Sequence, residues 1–257
     1  TMKKNFIIIL SSLTILFCNQ NPINGLDLAK LIDSRIKPKD TSSINTMILS
    51  NKDNKKKTFE LISISKDNSE KQMIWFLKPI KDKGISFLKI EHDDKDDFMV
   101  MWLPGFSRFK RIKSSQKSDS FMGSDLSFED LTNRTVSDYS YKIINKNKNT
   151  YFLESIPINI DSEYSKHITK IEEVECGIFL AVFEESFDKN NKLLKTKSFN
   201  FKKIDSNKIS YYIMDKLEVT NVQDNHSTIL LVNDISLNNN FEDSKFIQRS
   251  LKMIPSY

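Results

Sequence analysis

The 257-residue sequence holds only five glycines, two cysteines and three histidines, and each shortage excludes a class of protein. Five glycines cannot furnish repeated Gly-rich loops, and neither a Gly-x-Ser-x-Gly elbow nor a phosphate-cradling Gly loop is present. Two cysteines exclude a disulfide-scaffolded fold. His92, His167 and His226 are scattered, without the short spacing that zinc sites use. Asp93, Asp94, Asp96 and Asp97 lack the central Gly and closing Glu of a calcium loop, and read as a solvated hairpin turn. With no nucleophile and base, no metal set and no cofactor expected, the sequence does not read as an enzyme.

Charge of one sign is also lacking. Lys and Arg number 39 against 34 Asp and Glu, a net charge of +5. Both signs are interleaved along the chain, which argues against nucleic-acid binding, where basic residues concentrate on one face. The apolar fraction is 39% and aromatics, led by 18 Phe, make up 11%, enough to exclude a mostly disordered chain.

There is no hydrophobic run long enough to span a bilayer comfortably, which takes roughly 20 residues. The longest, Phe6–Phe17, is about a dozen residues and follows Lys3-Lys4, the pattern of a secretory signal peptide. Residues 1–25 are therefore expected to be a cleaved signal peptide and 26–257 a single exported domain, with cleavage near Gln20 or Gly25. A lipid anchor at Cys18 is not expected, because Phe17 stands where lipidation needs a small residue. The mature chain would then keep one free thiol, Cys176, as a small semi-buried filler and no internal disulfide.

The remaining chain is patterned for strands. Leu28, Leu31, Ile32 and Ile36 have helical spacing over 26–36, closed by Pro38. The period then becomes two, predicting strands at 45–50, 58–65, 72–78, 85–91, 98–103, 139–144, 150–156, 167–174, 179–187, 193–202, 209–220 and 227–235. Polar turns separate them, and a short helix over 244–251 closes the chain. No linker or internal repeat divides it, so one large twisted sheet curling around a core is expected.

One segment resists a bland reading. Arg108, Lys110, Arg111 and Lys113 form a dense cationic strand. Phe121, Met122 and Gly123 follow, then N-cap candidates at Ser124 or Asp125, and Glu129-Asp130. The last stretch reads as a short capped helix whose acids pair with the arginines, clamping it onto the sheet. Docking of the basic strand on lipid headgroups is the other reading.

Here the sequence resembles a known family. Leu103-Pro104, Arg108, Lys110-Arg111-Ile112 and above all the stretch from Ser120 to Leu131 resemble the LolA-like outer-membrane lipoprotein-sorting proteins. The branch is the one associated with resistance-nodulation-division (RND) type lipid exporters. Phe76-Leu77-x-Pro79, Lys83-Gly84, Phe87-Leu88, Glu154-x-x-Pro157, Tyr164-Ser165-Lys166, Leu193-Leu194-Lys195, Met214, Thr228 and 246–251 extend the likeness in order. Family members often have two adjacent Arg where this chain has Lys110-Arg111.

The resemblance implies a mainly β fold: a strongly curved antiparallel sheet, an incomplete barrel, with a few short helices as a lid over its concave face. It implies a periplasmic carrier that shields acyl chains of lipoproteins or other lipids in an apolar cavity. Trp75, Leu77, Ile85, Phe87, Trp102, Phe179, Phe183, Tyr211 and Ile213 are the candidate lining, although the same residues would fill an ordinary core. Implied partners are the acyl chains, an inner-membrane RND-type exporter or an outer-membrane acceptor, with the protein monomeric. The alternative is a non-catalytic envelope sensor or adaptor that binds a membrane protein with the same fold.

Overall fold

The computed structural model describes residues 23–256. The expected signal peptide, with Cys18, lies almost wholly outside the described residues. Helix α1, Gly25–Asp33, opens where the Asn24 side chain accepts from the Asp27 amide at 2.9 Å, a standard N-cap. It stops before the expected Ile36, because the ring of Pro38 would clash with the carbonyl four residues back, at Ser34, which ends the helix.

Alternating residues then build thirteen strands: β1 Asp40–Ser50, β2 Lys56–Lys66, β3 Lys71–Lys78, β4 Ser86–Ile90, β5 Phe98–Leu103, β6 Arg108–Ile112, β7 Tyr139–Asn147, β8 Thr150–Pro157, β9 Lys166–Glu175, β10 Ile178–Phe187, β11 Leu193–Ser206, β12 Ile209–Asn221 and β13 His226–Leu237. All lie in one antiparallel sheet of order β6-β5-β4-β3-β2-β1-β13-β12-β11-β10-β9-β8-β7. Asx chemistry sets its hairpins: between β1 and β2 the Asn51 side chain accepts from the amides of Asp53 and Lys55, and Asn54 takes a positive φ of 58°.

This order has one consequence for function. The chain runs outward from β1 to one edge, β6, must reach the opposite edge, β7, and then returns strand by strand to β13 beside β1. The edges do not pair, so the barrel is incomplete. The crossover, residues 113–138, is a strap laid over the inner face of the sheet. Between Phe121 and Asp130 the strap touches β3 and β4 at one end and β11 at the other. In a flat sheet β11 would lie about 24 Å from β3 and about 29 Å from β4 at the usual ~4.8 Å spacing, yet the strap, folded back on itself where Ser120 bridges Ser127, touches all three, so the sheet is curled around it.

Two apolar layers follow from the period-two alternation. Inward residues Met47, Leu49, Phe59, Leu61, Ile74, Phe76, Phe87, Met99, Met101 and Ile112 enclose Phe121 and Phe128 of the strap. Outward residues of the same strands, Ile62, Ile64, Met73, Trp75, Leu88 and Val100, are covered by Phe246 and Leu251 of the C-terminal segment. Helix α1 seals the far end of the inner face, with Leu28 and Ala29 on Tyr151, Leu153, Ile171 and Phe179.

Three expectations are corrected. The short helix over 125–130 is a hairpin: Ser120 bridges Ser127, and only Glu129–Leu131 makes a 3-10 turn. The closing helix is two 3-10 turns, Asp243–Lys245 and Gln248–Lys252, which pack on the outer face and are no part of a lid. Cys176 is exposed in its turn rather than semi-buried.

Candidate functional site

The strap is pinned at three places, each by a different chemistry. At its tip Met122 and Gly123 both have positive φ, 55° and 77°, and the Ser124 amide donates to the Phe121 carbonyl at 3.0 Å. This two-residue turn needs left-handed backbone at both centres, which Gly123 adopts without strain. It drives Phe121 and Phe128 into the apolar half of the inner face, where Phe121 meets Phe87 at 5.4 Å and Phe76 at 6.0 Å between ring centres.

Asp125 makes the second attachment. Its carboxylate accepts from the Thr228 hydroxyl at 2.6 Å and pairs with His226 Nδ1 at 2.8 Å, while its amide donates to Thr228 Oγ1. The lone side-chain hydroxyl of Thr228 thus serves the strap twice, so this bond ties the strap to β13 across the middle of the sheet.

The third attachment is a buried ionic cluster. Asp130, 2% exposed, receives Lys197 Nζ at 2.5 Å, Lys195 Nζ at 3.1 Å and the Tyr164 hydroxyl at 2.8 Å. Lys197 also reaches Glu184, and Glu184 accepts a two-pronged contact from Arg134 at 2.5 and 2.8 Å. Burial alone would raise the Asp130 carboxyl, but the ammonium groups of Lys197 and Lys195 hold it well below the usual carboxylate range. Burial likewise opposes ionisation of Glu184, and Arg134 and Lys197 outweigh it and keep it ionised. Burial, reinforced by Arg134, pushes His167 down to about 3, so its ring is neutral. The inner face is therefore divided, with Phe-rich packing over β1–β6 and paired charges over β9–β11. The strap sequence matches that division: phenylalanines first, then Glu129, Asp130 and Arg134.

The arginine clamp expected from sequence is not formed. Arg111 donates to the Asp97 backbone carbonyl at 3.2 Å and stacks on Phe98 at 4.1 Å, and Arg108 lies over Phe106. Asp97 is bound as well, accepting from the His92 amide and pairing with Lys117 of the strap, so it does more than shape a solvated turn. Lys197, Arg134 and Glu184 escaped the sequence reading, and Lys195 and His167 were noted there without a place in the site. The available signal was the alternation Lys195, Lys197, Phe199, which sets two lysines on the same face as an inward Phe.

Between strap and sheet lies a cavity of about 410 Å³. Met47, Leu61, Ile74, Leu230 and Val232 of the sheet and Phe121, Leu126 and Leu131 of the strap form its apolar part. Ser43, Asn45, Ser63 and Ser65 form a hydroxyl-rich end, with Arg35, Lys37, Lys39 and Lys66 around it. Of the candidate lining residues, Ile213 reaches this cavity. Strand parity sends Trp75, Leu77 and Trp102 to the outer layer, Ile85 and Phe87 into the packing against Phe121, and Phe179 under α1. Phe183 is partly buried on β10, and Tyr211 is buried on β12 near Asn238. Among the described residues no set of three His, Cys, Asp or Glu is placed to hold a metal, and no helix is long and apolar enough to cross a membrane.

Comparison with known proteins places this architecture. A family model described as that of an uncharacterized protein matches residues 68–253. A solved outer membrane lipoprotein-sorting protein domain from Vibrio parahaemolyticus superposes with a TM-score of 0.81 at 26% identity, covering 89% of this chain and 98% of that one. The chain belongs to the family of that model, and its fold is LolA-like. A DUF1329 family protein from Desulfovibrio piger gives a TM-score of 0.78 at 24% identity over 88% of this chain and 97% of that one. A LolA superfamily protein from Nitrosomonas europaea gives 0.68 at 16% identity over 89% of this chain and 100% of that one. These two show the shared fold alone: one open antiparallel sheet with LolA-like topology. No curated protein matches the sequence.

Proposed function

We propose that this LolA-like protein is a periplasmic, non-catalytic carrier that holds the acyl chains of a lipoprotein or other lipid between strap and sheet. The observation that carries the reading is the 410 Å³ cavity with an apolar floor, an apolar roof and a polar end. Its volume lies within the ~300–1,000 Å³ of small-molecule sites. Burial of each CH₂ contributes about 0.8 kcal/mol, so even half of a long acyl chain would be held against water. The strap forms the roof, and its three attachments are all non-covalent. Loading and release would then follow from loosening one of them, which a membrane partner that prefers the open form can do. An RND-type exporter on the inner membrane or an acceptor on the outer membrane is the kind of partner this role requires.

The test is retention of lipid from an envelope extract through gel filtration, by the wild type and by Leu61→Arg, which places a charge in the cavity floor. The carrier retains lipid and the variant loses it while still folded. A wild type that stays lipid-free would favour an envelope sensor or adaptor, in which the same fold binds a protein.

A further inference from the structure

Arg35 is an anomaly among the cations of this protein. It sits just past α1 at the polar end of the cavity, half-buried, with its side chain over the Phe201 ring at 5.3 Å. Its Nε is fully buried and has no hydrogen-bond partner, and among the described residues the guanidinium forms no ion pair. Its neighbours differ. Lys37 pairs with Asp33 and Lys66 pairs with Asp243. Asp40, the one carboxylate lining the cavity, is occupied by the amides of Asn239 and Phe241. Asp215 also keeps a buried, unpaired oxygen, but it does not line the cavity and makes no pair with Arg35. Burial is the sole perturbation on the Arg35 guanidinium and lowers it, as expected when a cation is desolvated with no anion beside it.

A buried donor without an acceptor is costly and calls for a partner, and at the end of a cavity a ligand can supply it. Asn45 shows the complementary vacancy. Its amide nitrogen donates to Ser63, while its oxygen is buried, unpaired and part of the same polar end. The cavity thus offers a guanidinium fork, matched to a phosphate or carboxylate, beside an acceptor matched to a hydroxyl or amide.

We propose that Arg35 anchors the anionic headgroup, phosphate or carboxylate, of an amphiphile whose acyl chain lies in the cavity, with Asn45 accepting from a headgroup hydroxyl or amide. This rests on the carrier reading above and adds the class of cargo: anionic and hydroxyl- or amide-bearing. Phe201 holds the guanidinium plane, and Lys39 adds positive potential without a carboxylate of its own.

The experiment measures binding to the delipidated, full-length mature protein by native mass spectrometry. Lysophosphatidylglycerol and the monoacylglycerol of the same chain are compared, with inorganic phosphate as a third probe, for wild type, Arg35→Gln and Arg35→Lys. The wild type should prefer the anionic lipid about tenfold, the ratio that one charge-assisted contact of about 1.4 kcal/mol provides. Arg35→Gln should lose that preference while binding monoacylglycerol as the wild type does, and Arg35→Lys should keep part of it. Equal binding of both lipids by the wild type overturns the headgroup assignment and leaves the carrier reading intact. Binding of inorganic phosphate at Arg35 with no lipid preference overturns it in favour of a free-anion site. Failure of both lipids to bind overturns the carrier reading and the assignment together.

Discussion

Asp130→Asn removes one charge from the centre of the strap and almost no volume, so its effect isolates the electrostatics of the third attachment. In the native protein the carboxylate is 2% exposed and faces Lys197 at 2.5 Å and Lys195 at 3.1 Å, which are themselves 5% and 6% exposed. Once Asp130 is neutral, Glu184, already engaged by Arg134, and Glu163 at 3.4 Å from Lys195 are the remaining anions. Breaking a buried pair by removing one partner costs about 3–5 kcal/mol, since the abandoned charge stays desolvated. For a domain of this size that corresponds to a fall of roughly 6–20 °C in melting temperature. Urea unfolding followed by tryptophan fluorescence and circular dichroism checks it. Sign also matters. Because the folded carboxyl is depressed, its contribution is fully present above the ordinary carboxylate range, near pH 4, and is lost as pH falls toward the folded value. The variant should therefore show shallower acid destabilisation below pH 4. A variant as stable as the wild type at pH 7, with the same acid limb, would refute the buried clamp.

Three further outcomes follow from the same geometry. Phe121→Ala empties the packing between strap and inner layer, and should cost about 3–5 kcal/mol in urea unfolding while accelerating exchange of any bound lipid. His167 is held to about 3 against an unfolded value near 6.5, so the unfolded chain binds the proton first and stability falls as pH drops from 6.5 toward 3. That decline is about 1.4 kcal/mol per pH unit, and His167→Gln should flatten it in unfolding curves at pH 6.5 and 5. Gly25→Ala would place a methyl 2.8 Å from the Tyr141 carbonyl carbon of β7, so α1 must shift and hydrogen exchange at Leu28 and Ala29 should speed up.

The strands were largely legible because each obeys a local rule. Alternation marks Phe98–Leu103 to the residue, and polar Asn and Asp turns bound most of the others. Ladder ends were not legible. β11 runs on to Ser206 through Lys202 and Lys203, because its partner β12 continues opposite it. The LolA-like resemblance pointed to the right architecture, and its most specific stretch, Ser120–Leu131, became the strap. Its internal form was misread, because Asp125 has the look of a helix cap when its neighbours alone are considered. Its partners, Thr228 and His226, lie a hundred residues away and appear only once β13 is beside β1.

The charged half of the site was hidden for a related reason. Lysines on a strand are ordinarily taken to face water, and Lys195 and Lys197 become internal only because Asp130 and Glu184 arrive from two other elements. The arginines drew attention by their density, yet Arg108 and Arg111 settle on aromatic rings at the sheet edge. The aromatic candidates met the limit of composition. Trp75 and Phe87 are equally apolar, and only strand parity places one under the C-terminal segment and the other under the strap.

The most direct test of the carrier role is native mass spectrometry, followed by organic extraction, on mature protein taken from a periplasmic fraction. The carrier should emerge with a stoichiometric lipid, removed by solvent and lost in Leu61→Arg. A mass equal to the bare polypeptide, unchanged after incubation with envelope lipids, would contradict it.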